Sequence, residues 1–280
     1  MPERSVTAQP GMVPGSEPTA GTMFAALYGT LTPHPWRAGQ QDADALFHHR
    51  CLAIGLLDDT SSGQPDSAPW LWAINDAGWQ HPRGLDTGLV AWFQVEASAV
   101  AGDRPLPVQP FLRCAQDATA RAGTLELSAV QILLPVHGID PSRRPPYAPV
   151  PALRSVAWFA AGDPHAHTPV QVSVNSGQDP ALAAVAAQLT DQLTRLDQTA
   201  FTNVSHDSAD PDTAPPPPFD DSFWSGPPLH GATLRGDLIE WTCDAIGWLA
   251  EAVANCAARL GGASPLLLTV ARTAGHADAG

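Results

Sequence analysis

Apolar residues along this chain fall into short runs that alternate between a helical and an extended period. The clearest helical run lies near the C-terminus. Leu238, Trp241, Ala245, Trp248, Leu249, Ala252, Val253 and Cys256 share one side at about 100° per residue. Asp237, Glu240, Asp244 and Glu251 gather on another. Asp237 and Glu240 have the spacing of a capping box, Gly261-Gly262 supply a stop, and a short apolar strand follows over 266–270. Asp179-Pro180 opens a second helix marked by Leu182, Val185, Leu189, Leu193 and Leu196, with a strand over 200–205 after it. A third helix is expected over 110–122, with Phe111, Ala115, Ala118 and Ala122 inward, then a long strand over 125–136. Extended segments at 89–95, 170–174 and 232–234 precede these helices. Further strands are expected at 23–31, 51–57 and 70–75, and a short helix at 42–49.

Strand, helix, strand therefore recurs about three times. The expected fold is α+β, an antiparallel-rich sheet with helices on one face, and in finer detail two ferredoxin-like halves that each contain a βαβ unit. Val90-Ala91-Trp92-Phe93 returns as Val156-Ala157-Trp158-Phe159, which points to a weak internal duplication of 85–140 in 152–205. Residues 1–21, rich in proline, read as a disordered tail, and 22–205 as the main domain. Residues 206–221 hold five aspartates and the run Pro215 to Pro218, the pattern of a stiff acidic linker or loop. Residues 222–272 form a helix-strand unit packed on the main domain.

Composition narrows the function. All 14 basic residues are arginine. A chain without lysine forms no Schiff base and has no phosphate-loop or kinase-type lysine. A net charge of −14 opposes nucleic acid and anionic membrane surfaces. No stretch approaches the ~20 apolar residues of a spanning helix, and the N-terminus has no secretory pattern. Cys51, Cys114, Cys243 and Cys256 show no metal-ligand spacing, so free thiols and a cytoplasmic location are expected.

Three constellations carry candidate chemistry. His165 and His167 would point one way on a strand, and His206 (or Asp207) would complete a metal site, although the flanking prolines favour an ordinary solvent loop over a strand. Cys114, expected near a helix start, would pair with His137 and Asp140 beyond the next strand as a catalytic Cys-His-Asp set. Nine tryptophans against two tyrosines suggest an aromatic-walled pocket, with Trp70, Trp72, Trp92 and Trp158 as its walls and core packing as the competing explanation. Nucleophile-elbow and dinucleotide-loop motifs are missing from the sequence, and no organic cofactor is expected. The reading that results is a cytoplasmic protein that binds, or acts without cofactor on, a bulky apolar or aromatic small molecule. Two alternatives stand beside it. One is an assembly module, forming a homo-oligomer or docking a partner through the C-terminal helix and acidic linker; the other is a His/Asp metal-dependent enzyme.

Overall fold

The computed structural model describes residues 19–36, 42–57, 71–85, 87–98, 104–140, 153, 155–163, 166–208 and 214–273. β1 (Thr19–Pro33), α1 (Ala43–Ala53), β2 (Trp72–Trp79), β3 (Leu89–Ser98), α2 (Val108–Ala122) and β4 (Gly123–Leu134) come first. After α3 (Val156–Phe159) the order returns as β5 (Thr168–Asn175), α4 (Ala181–Ala184) with α5 (Ala186–Thr194), β6 (Phe201–Ser208), β7 (Gly231–Leu238), α6 (Cys243–Arg259) and β8 (Leu266–Arg272). All strands join one eight-stranded sheet in the order β2-β3-β1-β4-β8-β5-β7-β6, with antiparallel neighbours. Each half thus places its four strands in the same relative order, and the two fourth strands meet at the centre, where Val130 pairs with Val270. The fold is mixed α+β with an antiparallel sheet.

Period-two alternation decides what each face meets. Met23, Ala25 and Leu27 of β1, Phe93 and Val95 of β3, Ile132 of β4 and Leu268 of β8 join Phe47, Phe111, Leu189 and Trp248 from the helices in one continuous core. Their neighbours on the other face, Phe24, Leu133 and Leu267, are covered by Phe219 and Trp224. This second cover is the segment that reads as a linker. Gln131 Nε2 donates to the Pro215 carbonyl at 2.9 Å, Tyr28 Oη donates to that of Pro216, and Phe219 packs on Phe24 with centroids 4.5 Å apart. The prolines offer carbonyls without competing N–H groups, and the sheet supplies the donors. His206 and Asp207, at the start of the presumed linker, lie in β6.

α2 and α6 join the halves. A Cβ on Gly247 would sit 2.6 Å from Gln109 Cα, so only glycine permits this approach of the two backbones. Beside it Glu251, buried, accepts the Gln109 N–H at 2.8 Å and also bonds the Val108 N–H. One glutamate of α6 thereby caps the first turn of α2. Burial pushes its carboxyl up to about 8 even though these bonds oppose the shift.

Several elements differ from the sequence-based expectation. Asp237 lies in β7 opposite Thr202, where it accepts from Asn203, and the N-cap of α6 is Thr242, whose Oγ1 accepts from the Ala245 N–H. Pairing on both sides of β7 outweighs the local capping pattern. α6 is buried along nearly all of its length, so it is a core helix and presents no amphipathic outer face. Cys51 closes α1 and does not begin a strand. The echoed tetrapeptides are not equivalent, since 90–93 is strand in β3 and 156–159 is the helix α3.

Candidate functional site

Between α1 and the C-terminal half of α2 the helices leave a groove of about 970 Å³. His34 and Trp36, just beyond β1, form one wall; Leu46, His49, Arg50 and Ala53 come from α1, and Asp117, Ala118, Ala120 and Arg121 from α2. Its origin is local. α1 starts at the Asp42 cap, whose carboxylate accepts the Asp44 N–H, and lasts eleven residues, while alanines at 53, 118 and 120 leave the floor unfilled.

His34 Nε2 donates to the Ala120 carbonyl at 2.9 Å, satisfying one of the open carbonyls at the end of α2. That bond fixes the ring against which Trp36 stacks, centroids 4.1 Å apart and planes 12° from parallel. Trp36 remains 73% exposed, a large indole held flat toward solvent. Arg50 binds Asp117 through Nε at 2.8 Å and Nη2 at 2.6 Å. Arg50 is balanced by Asp117, so among the described residues that line the groove Arg121 is the formal charge without an ion-pair partner. An aromatic plate in the same groove as guanidinium groups is equipped to hold a flat anion.

The sequence candidates do not converge here. Trp72 is buried in the helix-side core on Phe111, Trp92 lies on the opposite sheet face against Phe24, and Trp158 is exposed on α3. Alternation of side chains along paired strands sends Trp72 and Trp92 to opposite faces. Trp70 lies outside the described residues. Cys114 stands nearly two turns inside α2, beyond the reach of the N-terminal dipole, and its thiol meets Cys51. α2 carries Cys114 about 12 Å back from the turn into β4. β4 has run about 36 Å to Leu134 before His137 is reached. His137 is exposed against Gly21 and Asp140 is exposed after it, so the three do not form a triad.

The metal set is likewise dispersed. His167 is exposed just before β5, whereas His206 pairs with Leu234, two strands away and five residues along the ladder. That offset is about 17 Å along the strands and 10 Å across them. His165 lies outside the described residues, and among those described no three His, Cys, Asp or Glu side chains are placed to hold a metal ion.

Sequence reasoning missed His34, Trp36, His49 and Arg121. A histidine and a tryptophan two apart beyond a strand were the available signal, but only the fold shows that α2 ends beside them. Compared with known proteins, the chain matches no family model, no curated protein and no solved structure. No helix of the described residues is long and apolar enough to cross a membrane.

Proposed function

We propose that this chain is a small-molecule-binding protein, built on two ferredoxin-like halves, whose site is the α1–α2 groove and whose ligand is a planar aromatic acid. The observation that carries the reading is the gathering of Arg50, Arg121, His34 and His49 around the stacked His34–Trp36 plate. The volume lies in the range of small-molecule sites, which are usually concave with a few placed polar groups. The ring would lie on Trp36, and the carboxylate would meet Arg121 in the bidentate geometry guanidinium favours. The repeated strand order supports the two-half reading, and four buried free thiols support a cytoplasmic setting. The ligand thus shifts from a bulky apolar molecule to an aromatic anion, because arginines line the groove and the other tryptophans are scattered. No organic cofactor enters the proposal.

Calorimetric titration with a benzoate, naphthoate and indole-carboxylate panel, beside the matching neutral amides, tests it. The acids should bind at least about tenfold more tightly than their amides, a difference of about 1.4 kcal/mol. Arg121→Ala should abolish that difference. Equal binding of acid and amide, or no binding of either, overturns the proposal.

A further inference from the structure

Cys51 and Cys114 sit on facing turns of α1 and α2, with their thiols close enough to interact. Neighbouring pairs fix the same helix register independently. Phe47 meets Phe111 with ring centroids 5.9 Å apart, and Arg50 Nη2 lies 2.6 Å from Asp117 Oδ2. Trp72, edge-on to Phe111 at 6.0 Å, lies near the Cys51 sulfur. Both thiols are fully buried, but the adjoining Arg50 and Asp117 side chains are each about one-third exposed on the groove wall. Solvent therefore reaches within about one helical turn of the sulfurs. Cys243 and Cys256 are differently placed, at opposite ends of the single helix α6.

We propose that Cys51 and Cys114 are a modification site, a thiol pair that peroxide-class oxidants convert to a reversible disulfide tying α1 to α2. The neighbouring Cys51 thiol and the Arg50 guanidinium both lower the Cys114 thiol. In the proposed sequence Cys114 attacks first, an order that dimedone labelling tests. Its thiolate attacks one peroxide oxygen, the O–O bond breaks, and hydroxide leaves to take up the proton released from the thiol. The Cys51 sulfur then attacks the Cys114 sulfenic sulfur, forming the S–S bond and expelling a second water. Two electrons pass from the thiols to one peroxide, giving one disulfide and two waters. Closure brings the two sulfurs to about 2.05 Å.

The test treats the native chain with a small excess of hydrogen peroxide and blocks remaining thiols before mass mapping. Wild type should lose about 2 Da, yield a Cys51–Cys114 crosslinked peptide, and recover its mass with dithiothreitol. Peptide mapping of wild type does not depend on whether any variant folds. In Cys51→Ser, dimedone should trap the sulfenic acid at Cys114. Gains of about 16 or 32 Da without a crosslink overturn the proposal, as does a bridge involving Cys243 or Cys256, or reaction only after denaturation. Dimedone labelling of Cys51 in Cys114→Ser but not of Cys114 in Cys51→Ser overturns the assignment of the attacking sulfur.

Discussion

The two halves of the sheet repeat one strand order, yet the crevice between first and second helix differs sharply between them. In the first half it is the wide groove walled by His34, Trp36, Arg50 and Arg121. In the second half Leu182, Val185, Ala257 and Leu260 line the corresponding crevice and leave only a narrow gap. Branched and long aliphatic side chains fill what alanines at 53, 118 and 120 leave open. The same strand order thus carries a closed crevice in one half and an open one in the other, and the open one is where Arg50 and Arg121 lie. α6, buried along nearly all of its length, caps α2 through Glu251.

The largest expected effect tests whether the halves share one core. Trp248 of the second half is fully buried against Phe159 and belongs to the same core as Phe47 and Phe93 of the first. Trp248→Ala should cost about 3–5 kcal/mol and lower a single calorimetric transition. Two separate transitions, or a midpoint that rises with protein concentration, would break the picture of one intramolecular core.

Glu251, the cap between the halves, gives the next effect. Its carboxyl is raised from an ordinary 4.5 to about 8 in the fold, so the folded state holds the proton more tightly. Its contribution is full below the unfolded value and is lost as pH rises through the folded one. Stability should therefore fall between about pH 5 and 9, by on the order of a few kcal/mol. Glu251→Gln, which keeps the shape and an accepting oxygen, should flatten that slope. An unchanged slope in denaturant melts of the variant would assign the pH dependence elsewhere.

A smaller effect is expected at the wall of the open crevice. Arg50 and Asp117 are both partly exposed, so Arg50→Met should change stability by no more than about 1 kcal/mol. A much larger loss in chemical denaturation would make the pair a support of the helix register and not a feature of the groove rim.

Much of this architecture was legible in the sequence, because buried strands and helices print their periods directly. α2, β4, β5 and β8 all lie close to where their apolar spacing puts them. The failures share a cause. Asp237, the strand residues 206–208 and the proline run take their structure from partners distant in sequence: Asn203, Leu234 and the Gln131–Tyr28 pair. Local rules read caps and linkers there because they contain no term for a neighbouring strand. The candidate site was the least legible part. Trp36 and Arg121 are 85 positions apart, and only the turn from α2 into β4, pinned by His34 on Ala120, brings them to one groove. The tryptophans themselves were a misleading guide, since strand alternation separates Trp72 from Trp92.

The most direct test of the central claim follows the nine tryptophan indole N–H resonances while an aromatic carboxylate is titrated into isotope-labelled protein. Trp36, assigned by its loss in Trp36→Phe, should move in a saturable way. Trp224 and Trp248, buried elsewhere, should stay in place. A saturable shift centred on Trp158 or Trp92 with Trp36 unmoved, or no saturable shift at all, would contradict the assignment of the α1–α2 groove as the binding site.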